Sequence, residues 1–223
     1  MDGKLFFRAI SRFVAGLVLV GLLLFLPAGS IRYAQGWLLM GILFIPMFVA
    51  GLIMMKKNPE LLKKRLNGKE KEREQREVVL FSGIMFLAAF ILAGLSFRFG
   101  WLMLPFPVSI IASVIFLAAY ALYAEVLREN AYLSRTIEVQ EEQKVIDTGL
   151  YGVVRHPMYM ATVFLFLAMP LVLGAFLSFL VMLCYIPIIV KRIQNEEKVL
   201  AEGLQGYEEY RGKVKYRMFP YIW

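Results

Sequence analysis

The chain is poor in the residues from which most catalytic and metal sites are built. It holds one histidine and one cysteine in 223 residues. A lone cysteine makes no intramolecular disulfide, and Cys184 lies inside an apolar run, where it reads as core packing. With no Cys/His cluster there is no zinc signature, and no metal ligand is assigned. Neither a phosphate-cradling glycine loop nor a dinucleotide fingerprint occurs. Internal repeats are missing too. Charge is scarce: charged residues make up 19% of the chain, against 60% hydrophobic.

What the sequence does have is long apolar runs and a mean hydropathy of +0.65. A bilayer-spanning helix needs about 20 apolar residues. Residues 13–26, 37–55, 78–97 and 102–127 read as four such helices. The first is flanked by Arg12 and by Pro27 to Ser30, which is also the build of a signal peptide. Because Arg32 and Tyr33 continue straight into the next run, a retained helix is favoured. The apolar run 158–190 would be close to 50 Å long as one helix, against a hydrocarbon core of about 30 Å. Two helices turning near Gly174 and Ala175 fit better. The expectation is an all-α integral membrane protein with about six membrane helices, the last two forming a hairpin, or four plus a re-entrant hairpin.

All but two of the 25 lysines and arginines fall in the N-terminal arm, in 56–77, in 128–155 and after residue 190. Arg32 and Arg98 are the exceptions. Positive charge stays in the cytoplasm, so both termini are expected there, in a prokaryotic inner membrane or the endoplasmic reticulum. Tyr33, Trp37 and Trp101 fall near the far helix ends, as interfacial anchors would. The net charge of +8 is therefore mostly topology; membrane lipids, not nucleic acid, are the expected partners. Oligomeric state is not readable. In the 56–77 loop, Pro59 suits a helix start. There Leu61, Leu62 and Leu66 make either a stripe lying on the membrane or part of a solvated connector. Residues 135–147 favour a small β-hairpin. A C-terminal cytoplasmic helix is expected after the last apolar run.

Two polar clusters stand out. The first, 149–159, reads GLYGVVRHPMY and contains the histidine. Pro157 suits a helix start, with His156 held out of helical geometry before it. Unpaired amides there offer partial positive charge to an anion, and Arg155 adds a full one. Gly149 and Gly152 permit a sharp turn, while Tyr151 and Tyr159 add flat rings. Such a set describes a pocket for a ligand with a flat ring and a carboxylate or phosphate, or else a positive-inside anchor preceding a helix. The second cluster runs from Arg192 to Glu197. Arg192 and Glu196 are four apart and can pair. These acids could hold an amine or offset a sulfonium, or could form an ordinary surface helix.

Taken together, Gly-x-Tyr-x-x-x-Arg-His-Pro-x-Tyr, then Arg-x-x-x-Glu-Glu, then Tyr-x-x-Tyr-x-x-x-Val-x-x-Arg-x-x-Pro resemble the isoprenylcysteine carboxyl methyltransferase superfamily. Its relatives include phospholipid N-methyltransferases and bacterial thiol methyltransferases. The resemblance covers about residues 143–220. Leu150 stands where the family usually has proline, which should loosen the turn. Ala161 stands where a glycine often occurs, which bears on how closely a ligand approaches that helix.

The resemblance implies S-adenosylmethionine as methyl donor, bound by the C-terminal half. Val145, Thr148, Gly149 and Tyr151 would shape the nucleoside pocket. Arg155, His156, Pro157 and Tyr159 would hold the methionine end, with Glu197 or Glu196 near its amino group. Arg192, Glu196 and Glu197 would be the catalytic set, Arg192 facing the acceptor. Residues 1–128 would then be the N-terminal membrane helices, and 129–223 the cofactor-binding and catalytic region, including the hairpin 157–190. Methyl transfer from a sulfonium is an in-line displacement that depends on alignment more than on a metal. A carboxylate acceptor is ionised at pH 7 and needs only positioning by an arginine. An amine must first lose a proton, which would draw on Glu196 or Glu197. The expected activity is methylation of a lipophilic acceptor, foremost a carboxylate of a prenylated or lipid-like molecule. A phospholipid amine or a small thiol is the alternative acceptor, and a non-catalytic membrane scaffold is the alternative of another class.

Overall fold

The computed structural model describes residues 3–66, 73–130, 132–133, 139–140 and 143–223, apart from the side chains of 64 and 73–75. Helices dominate because the apolar runs leave the backbone no partner but itself in a bilayer. They are α1 (Gly3–Ala28), α2 (Ala34–Lys57), α3 (Pro59–Leu66), α4 (Arg73–Phe99), α5 (Phe106–Glu129), α6 (Pro157–Val172), α7 (Phe176–Met182), α8 (Tyr185–Gly203) and α9 (Tyr207–Lys213), with a 3-10 turn at Gly149–Gly152. Among the described residues, five segments are long and apolar enough to cross a membrane: Gly3–Ala28, Ala34–Lys57, Arg76–Phe99, Phe106–Glu129 and Phe176–Gly203. The apolar α6 has 16 residues, about 24 Å of helix, shorter than the core of a typical bilayer.

Several element edges differ from the sequence reading. The first helix starts at Gly3 rather than at residue 13 because its early turns are also anchored: Leu5 packs with Met55 and Leu62. The fourth long helix begins at Phe106 instead of 102, after Pro105 at its N-cap. Residues before it run antiparallel to the turn after α6, with Leu104 N donating to Gly174 O at 2.8 Å. Leu173, Gly174 and Ala175 separate α6 from α7, and Gly174 takes a φ of 67°, a conformation that favours glycine.

The stripe on α3 faces protein, which corrects both readings of it. Leu61 and Leu62 are buried, and Leu62 packs on the ends of α1 and α2. Asn58 caps α3, its Oδ1 accepting from Leu61 N at 3.1 Å. Of the expected hairpin at 135–147, residues 135–138 and 141–142 lie outside the described residues; 143–147 have no regular secondary structure.

The main core joins α5 and α6 through Ala112, Phe116, Ala119, Ala168 and Val172, with Leu39 and Phe44 of α2 against them. Helices α1 and α4 meet where Gly94 passes the Leu24 carbonyl; a Cβ there would lie 2.5 Å from that oxygen. Tyr33 is no interfacial anchor. It is fully buried, donates to Leu173 O at 2.6 Å and stacks on Phe97. Trp37 and Trp101 are half-exposed, as anchors are. Cys184 is also corrected: it is exposed beside the break between α7 and α8.

Candidate functional site

The chain reverses after α6, and α8 brings Arg192, Glu196 and Glu197 back to the level of His156 and Tyr159. His156 is the N-cap residue of α6, with φ −126° and ψ 60°, and Pro157 opens the helix. The tail lies alongside: Arg155 N donates to Tyr216 O at 2.9 Å and His156 N to Arg217 O at 2.7 Å.

Glu197 is the knot of this arrangement. Its carboxylate accepts from Arg155 Nε at 2.8 Å, from Arg217 Nε at 2.8 Å, and lies 3.2 Å from His156 Nε2. Arg155 Nη1 donates to the carbonyls of Val214 and Lys215 at 2.7 and 2.9 Å. Arg155, His156 and Glu197 are all buried. These contacts give Glu197 and Arg155 a clear architectural task, joining the two sequence clusters and the tail. Buried charges are tolerated here because each has charged and hydrogen-bonding partners.

One residue earlier, Glu196 points elsewhere. Tyr159 Oη donates to the Glu196 carboxylate and accepts from Arg192 Nε at 3.0 Å. The expected Arg192–Glu196 pairing is therefore bridged by the Tyr159 hydroxyl. The Arg192 guanidinium also lies 6.0 Å from the Tyr159 ring centroid, and the His156 ring stacks on the same tyrosine at 5.7 Å. Above this, Thr162 and Tyr185 hydroxyls share a 2.9 Å hydrogen bond.

A cavity of about 100 Å³, open to solvent at its mouth, lies over these groups. Of the sequence-selected residues, Val145, Tyr151, Arg155, His156, Tyr159, Arg192 and Glu196 line it. Thr148, Gly149, Pro157 and Glu197 are not among the lining residues; they stand behind it. Ala161 is fully buried in α6 and does not line the cavity, so its missing glycine bears on helix packing. Sequence reasoning assigned no role to Asn130, Met158, Leu200, Tyr207 and Tyr210, which also line it. The two tyrosines were visible as Tyr-x-x-Tyr, without a chemical reason to choose them.

Tyr207 supplies that reason. Its side chain is buried, yet its hydroxyl has no hydrogen-bond partner among the described residues. Such a group costs free energy unless something else satisfies it. Its neighbour Tyr210 donates to Tyr151 O at 2.7 Å, and Asn130 Nδ2 donates to Tyr151 Oη at 3.1 Å. Burial pushes the phenol pKa values of Tyr151, Tyr207 and Tyr210 up, so all three keep their protons at neutral pH. The turn at 149–152, expected to be loose without a proline, is tied to α5. Glu129 Oε1 accepts from Thr148 Oγ1 at 3.0 Å and Oε2 from Leu150 N at 3.2 Å. Gly149 has a φ of 50°, and a Cβ there would overlap the Glu129 carboxylate.

Comparison with known proteins agrees with the motif reading. The family model described as the isoprenylcysteine carboxyl methyltransferase family matches residues 106–202. That stretch runs from the first residue of α5 into the end of α8 and so contains the turn, the Arg-His-Pro cluster and Arg192 to Glu197. The chain is also similar to the Delta(14)-sterol reductase of Mus musculus, 29% identical over 91 residues. The match covers 40% of this chain and 22% of that protein, so the chain spans about a fifth of the relative's length.

Proposed function

We propose, from the match of residues 106–202 to the isoprenylcysteine carboxyl methyltransferase family, that this chain transfers a methyl group from S-adenosylmethionine to a lipophilic acceptor within the membrane. The observation that carries this reading is that one cavity is lined by His156 and Tyr159 of one cluster and Arg192 and Glu196 of the other, with the Tyr207 hydroxyl, which has no hydrogen-bond partner among the described residues, buried in its wall. In this reading both termini are cytoplasmic, α6 and α7–α8 form the last hairpin, and the crossings number six. The gathering of basic residues on the side of the cavity supports that orientation.

The residues present fit such a cofactor. Tyr151, Tyr207 and Val145 offer flat and apolar surface for a nucleoside, and the Tyr207 hydroxyl awaits a polar atom. Glu196 places a carboxylate beside the cavity, suited to an ammonium or sulfonium charge. S-adenosylmethionine, when bound, supplies an electrophilic methyl group. Arg192 orients an acceptor carboxylate by charge-assisted hydrogen bonds. The Tyr159 hydroxyl fixes Arg192 by accepting from Nε, and Glu196 fixes Tyr159 by accepting from its hydroxyl. No general base is required, because the acceptor is already ionised at pH 7. Glu197 acts one layer out, holding Arg155, His156 and the tail in register.

Leu80, Ile84 and Ile111 on α4 and α5 are exposed, in keeping with helices set in hydrocarbon, the phase in which a lipophilic acceptor would dissolve. Similarity to a protein named as a sterol reductase is in keeping with an apolar substrate. A second reading, methylation of a phospholipid amine, draws on Glu196 at the cavity wall as proton acceptor. The experiment is to incubate detergent-purified protein with methyl-labelled S-adenosylmethionine and a lipid extract of its host. Label entering the organic phase and released by mild base as methanol supports the carboxylate acceptor. Base-stable label supports an amine or a thiol, and no transfer from a protein that binds the cofactor contradicts all three acceptors.

A further inference from the structure

We propose that Glu129 is a positioning residue for the ligand cavity, setting the 149–152 turn on which Tyr151 is carried. This rests on the cofactor reading above and names a residue outside the motifs that suggested it. Glu129 is the last residue of α5. A carboxylate at that place faces the negative end of the helix dipole, where a basic residue would be stabilising. Such a local conflict calls for a compensating contact, and one is present. Both carboxylate oxygens reach across to the turn, Oε1 to the Thr148 hydroxyl and Oε2 to the Leu150 amide. The next residue, Asn130, completes the clamp by donating to the Tyr151 hydroxyl.

Two further features show the fit to be specific. Gly149 lies directly against the carboxylate, in a conformation that favours glycine and with no room for a Cβ. Leu150 lies in the first residues of a 3-10 turn, where proline's fixed φ is tolerated. Leucine at this position keeps the amide that Glu129 binds; proline would delete it while stiffening the backbone by another route. On this proposal proline would hold the turn through its fixed φ, whereas this chain holds it through the Glu129 carboxylate. Tyr151 and Asn130 both line the cavity, so a turn released from α5 moves cavity wall.

The test uses the full chain in detergent, with S-adenosylhomocysteine as probe and calorimetric binding as readout. Four proteins are compared: wild type, Glu129→Ala, Leu150→Pro and the double variant. Glu129→Ala is expected to weaken binding about ten-fold, the scale of losing charge-assisted hydrogen bonds. Its unliganded melting temperature is expected to fall by about 2 °C or less, as for a local change. Leu150→Pro alone should bind close to wild type, and the double variant should regain most of the affinity lost in Glu129→Ala. This rescue is the reading a merely structural role would not produce. Glu129→Ala binding as tightly as wild type, or a double variant no tighter than Glu129→Ala, overturns the proposal while leaving the cofactor reading intact. Wild type that binds no probe overturns the cofactor reading and this role with it.

Discussion

Arg155 Nε donates to Glu197 Oε1 at 2.8 Å across 42 residues of sequence, and both side chains are buried. The bond closes the cluster before α6 onto the cluster within α8. With Arg217 on the second carboxylate oxygen, it also ties the tail to both. Two adjacent glutamates thus divide the work. Glu197 joins the two clusters to the tail, and Glu196 faces the cavity.

That division is testable by removing each acid. Glu197→Ala leaves Arg155 and Arg217 without their shared carboxylate and is expected to cost about 3–5 kcal/mol of stability. Glu196→Gln keeps the shape of the side chain and should leave thermal unfolding nearly unchanged while lowering turnover. Melting curves in detergent, measured beside transfer assays, separate the two. Equal losses of stability at both positions would contradict the assignment.

Arg192 should be sensitive in function rather than in folding. Arg192→Ala is expected to lower turnover of a carboxylate acceptor by about 100-fold, the scale of losing substrate alignment. Arg192→Lys keeps the charge without the planar fork and should recover only part of that loss. The check is kcat and KM for both variants with one defined acceptor. An amine acceptor would reverse the order, with Glu196→Gln the more damaging change.

Tyr207→Phe offers an unusual signature. Removing a buried hydroxyl without a partner should leave the unliganded protein as stable as before, or more stable by about 1 kcal/mol. Affinity for S-adenosylhomocysteine should fall by about ten-fold if the hydroxyl meets the ligand. Melting with and without the probe checks both halves.

The raised phenol pKa values also predict an alkaline limit. In the unfolded chain tyrosines ionise near the ordinary value of 10.0, whereas Tyr151, Tyr207 and Tyr210 hold their protons to higher pH. The folded state therefore binds more protons above pH 10, and stability falls as pH rises past that point. Melting temperature followed across the alkaline range should decline, with late tyrosinate absorbance from the buried rings. A midpoint that is flat across this range would contradict the burial of these hydroxyls.

Much of this was legible in the chain because membrane helices announce themselves by composition. The apolar runs and the turn near Gly174 needed no tertiary information. The site clusters were legible because proline, histidine and arginine are unusual together in so apolar a protein. Other features depended on contacts remote in sequence. Adjacent residues on a helix point about 100° apart, so the order Glu196, Glu197 does not say which one meets the cavity. Tyr33 has the look of an interfacial anchor, and only its bond to Leu173, 140 residues away, turns it into core. Glu129 lay outside every motif; its only sequence signal is an acid at the end of a helix, where a base is the better choice.

The central claim is that the cavity between α6, α8 and α9 holds the methyl donor. Calorimetric titration of the purified wild-type chain with S-adenosylhomocysteine, repeated with Tyr207→Phe, tests it most directly. Saturable one-to-one binding that weakens about ten-fold in the variant is the predicted result. No heat of binding at any ligand concentration, from protein that melts cooperatively, would contradict it.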